Sequence, residues 1–162
     1  MAGETARVNG NADEPEIRIL TTAEVLPLRH AVLRSGRPLE TARFANDEAP
    51  GTRHLGAYRD GKLLAVASLY IEEMPNRPGV SATQIRGVAT SPEARGTGLG
   101  VALMNVAREY AREKGAQILW CNARGSAAAF YRKLGYSIVG DEFEIPDVGP
   151  HFRMMLELGP TN

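Results

Sequence analysis

Short runs rich in apolar and β-branched residues recur along the chain and predict strands. The runs lie at 17–20, 54–59, 62–71, 81–90, 118–121, 136–143 and 151–158. Asp60 and Gly61, between the second and third runs, form a dipeptide typical of a tight hairpin turn. The chain therefore has enough predicted strands for one sheet, with at least one antiparallel pair.

Helical patterns interrupt these strands. A helix is expected over 21–34. Thr21 at its start and Glu24 three residues later are typical of a capping box. Apolar residues at i, i+3 and i+4 predict an amphipathic helix over 99–114, and a shorter helix is expected over 126–134. The order β-α-β-β-β-α-β-α-β-β predicts an α/β (α+β) fold with a mixed, mostly antiparallel central sheet and helices on both faces.

Composition narrows the class of protein. The chain has 162 residues, 43% of them hydrophobic, and 19 basic side chains balance 19 acidic ones. This length predicts one domain, over 16–160, behind a tail at 1–15 that has little to bury and is expected to be disordered. The charge balance argues against a nucleic-acid partner, and the apolar runs are too short to cross a membrane. We expect a cytoplasmic protein without disulfides or a metal site.

A glycine-rich turn joins the strand at 81–90 to the next helix. Its sequence is Arg95-Gly96-Thr97-Gly98-Leu99-Gly100. Glycines let a ligand approach the backbone, and the free amides and dipole of the helix start attract an anion such as pyrophosphate. The turn lacks the Lys-Ser/Thr of a Walker A loop and the third glycine of a dinucleotide fingerprint. The glycines alone leave open that this is only a tight turn.

Two stretches resemble the motifs of the GNAT superfamily of N-acyltransferases. Residues 88–100, VATSPEARGTGLG, are similar to its acyl-CoA motif, Gln/Arg-x-x-Gly-x-Gly/Ala, with Val88 seven positions before Arg95. Asn122 and residues 129–136, AFYRKLGY, resemble its second motif, which ends in Phe-Tyr-x-Lys-x-Gly-Phe/Tyr. The resemblance covers roughly residues 54–158, and the order of elements agrees with that of the family.

The resemblance implies an N-acetyltransferase that uses acetyl-CoA as co-substrate. It implies that the strands holding Val88 and Cys121 splay apart at the coenzyme site, so that the pantetheine arm pairs with exposed backbone. It also implies that the glycine-rich turn holds the pyrophosphate and that Arg132 or Lys133 is available for the nucleotide phosphate. The implied coenzyme-binding residues are Val88, Ala89, Arg95, Gly96, Thr97, Gly98, Leu99, Gly100, Val101, Asn122, Phe130 and Tyr131.

Acetyl transfer to an amine requires a proton donor for the leaving thiolate. Tyr131 in the second motif is the expected general acid, because a phenol with a pKa of about 10 stays protonated at neutral pH. The general base stays open. Glu72 and His151 are the candidates that we carry forward, beside Glu73 and His54, and a weakly basic amine would need no enzymic base.

The resemblance implies a primary amine as acceptor, and we favour a small or amino-acid-like molecule that reacts directly in a ternary complex. Alternatives are transfer to a protein amine and a non-catalytic acyl-CoA-binding module. Arg34, Arg37 and Arg43 are expected either to meet an acceptor carboxylate or simply to be solvated. Cys121 is expected to be a buried, inert thiol rather than an acetyl carrier. A homodimer through the last strands is common among relatives and stays open.

Overall fold

A computed structural model describes the backbone of Thr5–Arg7 and all of residues 15–159. The strands are β1 (Thr5–Arg7), β2 (Glu16–Leu20), β3 (Arg53–Arg59), β4 (Lys62–Ile71), β5 (Ala82–Thr90), β6 (Ile118–Arg124), β7 (Ser137–Ile145) and β8 (Gly149–Glu157). The α-helices are α1 (Thr22–Leu33), α2 (Leu99–Glu113) and α3 (Ala128–Lys133). Within these described residues, none of the helices combines the length and apolar character needed to cross a membrane.

The described strands form one sheet in the order β1-β2-β3-β4-β5-β6-β8-β7. Neighbouring strands run antiparallel except for β5 and β6, which run parallel. A parallel pair needs a crossover connection, and α2 supplies it between β5 and β6. The predicted mixed, mostly antiparallel sheet is therefore confirmed.

Helices cover both faces of this sheet. Leu69 of β4 joins Leu99 and Leu103 of α2 in the largest core cluster. Ser68, the preceding residue of β4, instead accepts a hydrogen bond from Arg29 of α1 at 2.8 Å. Because successive residues of a strand point to opposite faces, α1 and α2 lie on opposite sides of the sheet. The prediction of helices on both faces is confirmed.

The observed elements lie within a few residues of the predicted ones, with two differences. Residues 125–127 form a 3-10 turn, so α3 begins at Ala128 and not at 126. Thr5–Arg7 falls within the segment predicted as a disordered tail, yet it pairs antiparallel with β2. The outer edge of β2 carries backbone groups that a further strand can satisfy. The other residues of the predicted tail before Pro15 lie outside the described part of the chain.

A buried ion pair fastens the loop between α1 and β3 to the sheet. The side chain of Arg29 is fully buried, and its Nη1 donates to Asp47 Oδ2 at 2.8 Å. Asp47 also accepts hydrogen bonds from the Tyr70 hydroxyl and from the Phe44 amide. The Arg29 guanidinium lies 4.1 Å from the centroid of the Phe44 ring. These contacts hold Phe44 over the sheet.

We expect acid to weaken this anchor, so that the free energy of unfolding falls as the pH drops below about 4. Burial raises the pKa of Asp47, but the hydrogen bonds from Arg29, Tyr70 and the Phe44 amide outweigh it and leave a lowered pKa. A carboxyl with a lowered folded-state pKa stabilises the fold above its unfolded pKa. That stabilisation disappears as the pH falls through the folded value.

Urea unfolding at a series of acidic pH values measures this dependence. The Asp47→Asn variant should show a flatter slope of unfolding free energy against pH. Glu93→Gln is the control, because Glu93 belongs to an exposed ion pair of small expected contribution. Equal slopes for the Asp47→Asn variant and the unmodified protein would contradict the prediction.

Candidate active site

The parallel pairing of β5 with β6 stops halfway along the strands. It runs only from Ala82–Ile118 to Ile85–Cys121. Beyond that point the two strands diverge, so the β6-facing edge of the rest of β5 has no strand partner among the described residues. Gly87 and Val88 both lie opposite Ala67, which makes a bulge in β5, and Gly87 has a φ of +65°. A bulge bends a strand and increases its twist, which helps the strands to part.

A cleft of about 330 Å³ occupies the gap between the parted strands. Cys121 and Ala123 of β6 point to the α2 face, where they belong to the main core with Tyr131. Asn122 and Arg124 alternate with them and point to the α1 face. Because residues from both faces line the same cleft, the cleft passes through the sheet.

The glycine-rich turn lies where β5 leads into α2. Gly96 and Gly98 have φ values of +77° and +83°, and an added Cβ at either would meet nothing within 4 Å. The first helical bond runs from the Ala102 amide to the Gly98 carbonyl at 3.1 Å. The amides of residues 99–101 therefore precede the intrahelical ladder. Phe130 of α3 lies 3.5 Å from an ideal Cβ at Gly100, which brings the two sequence motifs together.

Tyr131 lies at the α2-face wall of the cleft. It is 6% exposed, and its ring packs edge-on against Phe130 and Tyr136 with centroid separations of 5.3 Å. Burial raises the pKa of the Tyr131 hydroxyl well above its ordinary value, so the phenol stays protonated. Burial also raises the pKa of Cys121 to about 12, although the Tyr131 hydroxyl donates a hydrogen bond to its sulfur. The prediction of a buried thiol is confirmed.

His151 lies on the opposite wall. It is 5% exposed, lines the cleft and stands directly opposite Arg124 across the β6–β8 pair. Nδ1 lies 2.9 Å from the Gly149 carbonyl oxygen, which only accepts hydrogen bonds. This contact assigns the proton of a neutral ring to Nδ1 and leaves the lone pair on Nε2. A neutral His151 ring therefore has the chemistry of a hydrogen-bond acceptor at Nε2.

The structure places Glu72, one of the two candidate bases, outside the lining of the cleft. Glu72 is exposed just after β4, and its amide donates to Ala82 at the start of β5. That is the end at which β5 and β6 stay paired. Glu73 is exposed in the same loop, and the His54 ring is bonded instead to Ser68 in the buried network. Sequence alternation could not reveal which end of β5 opens.

The three arginines that the sequence suggested for an acceptor carboxylate lie in different places. Arg34 lines the cleft, whereas Arg37 is exposed and Arg43 borders a separate depression beside Asn46. Sequence reasoning missed Arg86 and Arg124, which also line the cleft. A signal existed for both: each is a charged residue inside a predominantly buried strand or at its end.

The predicted coenzyme-binding residues lie in two adjoining places. Val88, Asn122 and Tyr131 line the cleft, while Ala89 is buried beside them. The residues from Arg95 to Val101 form the turn and the first residues of α2. The unpaired edge of β5 and the free amides of α2 are thus available to one extended ligand.

Residues 21–136 match the profile of the acetyltransferase (GNAT) family. The chain belongs to this family. It is 34% identical over 139 residues to YitI, an uncharacterized N-acetyltransferase of Bacillus subtilis, a match that covers 86% of this chain and 93% of the relative. The chain is therefore an acyltransferase of the GNAT family.

Solved structures share the fold of this GNAT chain. ElaA of Escherichia coli superposes with a TM-score of 0.70 at 22% identity, covering 88% of this chain and 99% of that protein. An aminoglycoside 6'-N-acetyltransferase complexed with coenzyme A has a TM-score of 0.70 at 14% identity, over 90% and 98% of the two chains. The GNAT fold binds acyl-CoA, and the parted β5 edge with the free α2 amides fits an extended pantetheine arm and a pyrophosphate.

Proposed function

We propose that this GNAT acyltransferase moves the acetyl group of acetyl-CoA to a primary amine of a small or amino-acid-like acceptor. The observation that carries the proposal is the cleft through the sheet. Tyr131 stands on its α2 face, beside the turn with the free amides, and His151 stands toward its α1 face. Coenzyme and amine would then enter from opposite sides and meet between these two residues.

Three residues of the cleft each have one task in the proposed reaction. The bound thioester supplies an activated acyl carbon. His151 Nε2 takes a proton from the amine, whose nitrogen then bonds to that carbon. The Val88 amide donates to the carbonyl oxygen as negative charge develops there. Tyr131 donates its proton to the sulfur as the carbon–sulfur bond breaks. The second proton that the acylated nitrogen loses converts the Tyr131 phenolate back to the phenol, which leaves free coenzyme A and the acetylated amine.

The environment of Tyr131 suits this donor role. A phenol with a raised pKa stays protonated but is a weaker acid. A leaving thiolate in the same buried space is destabilised as well, and the burial that raises the pKa of Cys121 to about 12 illustrates the effect. The two shifts act in the same direction, so the proton transfer is not made unfavourable by burial.

Direct transfer is favoured over a covalent acetyl-enzyme. A thiol with a pKa of about 12 is almost never the thiolate that attacks a thioester. Initial rates should then give intersecting patterns when both substrates are varied, and Cys121→Ala should keep most of its activity. A parallel, ping-pong pattern that disappears in Cys121→Ala would contradict direct transfer.

Two measurements test the proposed function on the full chain. Titration calorimetry should detect binding of coenzyme A, and a thiol-release assay should show acetyl-CoA consumption that depends on an added amine from a broad panel. Absence of coenzyme A binding would contradict the proposal. Binding without amine-dependent turnover would favour the non-catalytic module. The presence of Tyr131 in the cleft is an argument against that alternative.

His151→Gln is expected to lower kcat/KM by roughly tenfold near neutral pH for an α-amine acceptor, and by less as the pH rises. An amine with a pKa of about 8 is already partly deprotonated, so a base contributes modestly. The pH profile of kcat/KM measures the effect. His30→Gln is the control, because the His30 ring bonds the Arg37 carbonyl outside the cleft. Identical profiles for His151→Gln and the unmodified enzyme would exclude His151 as the base.

A further inference from the structure

Three arginines surround the α1-face mouth of the cleft. Arg34 follows α1, Arg86 lies on β5 and Arg124 ends β6, and all three line the cleft and are half-buried. We call Arg34, Arg86 and Arg124 the arginine mouth. The only other side chain of the lining that can carry a positive charge is His151, and no described Asp or Glu belongs to the lining.

The charges of the arginine mouth lack acidic partners. Among the described residues, no carboxylate lies within 4.0 Å of these three guanidinium groups. Asp47, the buried acid nearby, is already paired with Arg29. Burial lowers the pKa of Arg34, and the charges of Arg124, Arg37, Arg86 and Arg29 lower it further. A chain with equal numbers of acidic and basic residues thus concentrates unneutralised positive charge at one opening.

Neighbouring groups hold the arginine mouth in place without neutralising it. Arg34 and Arg124 both donate to the Leu33 carbonyl at the end of α1, at 3.0 and 3.5 Å. The Arg86 guanidinium lies 4.3 Å from the centroid of the Phe44 ring, which the Arg29–Asp47 pair fixes. Guanidinium groups fixed in this way keep donors free for a ligand at little entropic cost.

The arginine mouth is not the pyrophosphate site. Arg86 pairs with Ser68, and cross-strand partners share a face of the sheet, so Arg86 lies on the α1 face. Arg124 reaches the end of α1 on that same face. The glycine-rich turn leads into α2 on the other face. Coenzyme phosphates held at the turn would leave the arginine mouth for the second substrate.

We propose that the acceptor amine carries an anionic group, a carboxylate or a phosphate, which the arginine mouth binds. This inference rests on the proposed function and specifies its acceptor. Guanidinium groups bind both anions through paired hydrogen bonds. With the anion at Arg86 and Arg124, the amine of a compact acceptor lies beside His151, because His151 stands directly opposite Arg124 in the sheet.

Matched acceptors that differ in the anion test the proposal by turnover. Free L-amino acids are compared with their own amides, and O-phosphoethanolamine is compared with ethanolamine, in the thiol-release assay. We expect the anionic member of at least one pair to have a kcat/KM that is about ten- to a hundredfold higher, as a charge-assisted hydrogen bond provides. The pair that shows the preference distinguishes carboxylate from phosphate.

Variants of the arginine mouth separate anion binding from a structural role. Arg86→Gln and Arg124→Gln should raise KM for the anionic acceptor and reduce its advantage over the neutral partner. The kcat value and the affinity for coenzyme A should change little. Arg77→Gln is the matched control, because Arg77 lies at the paired end of the sheet in a weak surface contact with Glu157 at 3.9 Å. It should keep the full preference.

A binding measurement tests the anion site independently of turnover. The ¹⁵N-labelled protein, saturated with coenzyme A, is titrated with sodium phosphate and with sodium acetate at constant ionic strength. Arginine Nε signals assigned with the three variants should shift saturably for Arg86 and Arg124 with at least one anion, and not for Arg77. Absence of these shifts overturns the proposal.

The experiments distinguish a failure of the anionic-acceptor proposal from a failure of the proposed function. Equal turnover of charged and neutral acceptors, or a preference that survives in Arg86→Gln and Arg124→Gln, overturns the anionic acceptor and leaves the acetyltransferase intact. Failure to bind coenzyme A overturns the acetyltransferase, whereas anion-dependent shifts at the arginine mouth would still show an anion site. Thermal unfolding of each variant shows separately whether the substitution lowers its stability.

Discussion

Tyr131→Phe is expected to lower kcat by about 10- to 1000-fold while leaving the Kd for coenzyme A almost unchanged. The substitution removes a single hydroxyl from the wall of the cleft. The ring contacts with Phe130 and Tyr136 remain, so the fold and the surface offered to the coenzyme are retained. The proton for the leaving thiolate is lost, together with the hydrogen bond that the hydroxyl donates to Cys121. Steady-state kinetics and calorimetry on the same preparation measure the two quantities.

Tyr136→Phe is a matched control for this experiment. Tyr136 is buried in the same aromatic cluster, and burial raises the pKa of its hydroxyl as well. Tyr136 does not line the cleft, however, but borders a separate small cavity together with Met104 and Leu134. The Tyr136→Phe enzyme should therefore turn over normally. A fall in kcat of the same size in both variants would indicate a structural cause, and an unchanged kcat in Tyr131→Phe would exclude Tyr131 as the acid.

The pH dependence gives a second test of Tyr131. Because burial raises its pKa, the phenol should stay protonated throughout the range in which the enzyme is stable. The kcat of the unmodified enzyme should then show no decline from phenol ionisation up to at least about pH 9. A loss of activity below that pH that is absent in Tyr131→Phe would show that Tyr131 ionises too early for a proton donor.

Local signals in the sequence were sufficient for most of the fold. Thr21 and Glu24 form the predicted capping box at the start of α1. Asp60 and Gly61 both have positive φ, as the tightest hairpin turn requires. Gly98 caps α2 in the left-handed conformation, so the helix begins at the predicted residue. Each of these features depends on neighbours within a few positions, which is why the sequence alone reveals them.

Contacts between distant segments explain what the sequence did not reveal. Arg86 and Arg124 are 38 positions apart, and they converge only because β5 and β6 part above Ile85 and Cys121. Glu72 has the right chemistry for a base, but it lies at the end where those strands stay paired. Which half of a strand pair opens depends on a bulge and on pairing register. Neither leaves a simple pattern in the sequence.

Asp47, the buried partner of Arg29, is another residue whose position the sequence did not reveal. Asp47 lies in a loop without periodicity, 18 positions after Arg29, and nothing near it in sequence marks it as buried. Its burial follows from the way in which α1 and β4 meet, with Tyr70 and Arg29 completing its hydrogen bonds. Phe44 gains its place in the cleft wall through this pair. The α1-face side of the cleft is therefore a product of tertiary structure.

Gly98→Val is expected to reduce the affinity for coenzyme A by at least about 100-fold, to the point where calorimetry detects no binding. Gly98 has a φ of +83°, and the space before it is empty of protein atoms within 4 Å. A valine would place methyl groups in front of the free amides of residues 99–101, where a pyrophosphate would lie. It would also strain the backbone, because β-branched residues rarely adopt positive φ.

The Gly115→Val variant separates the effect of backbone strain from the effect of a blocked coenzyme site. Gly115 also has a φ of +83° and nothing within 4 Å of an added Cβ, but it lies beyond the other end of α2. Both variants should therefore lose a similar free energy of unfolding, of about 1–2 kcal/mol. Coenzyme A should still bind to Gly115→Val and not to Gly98→Val. Retained binding in Gly98→Val, at equal stability, would mean that the turn merely connects β5 to α2 and that the pyrophosphate lies elsewhere.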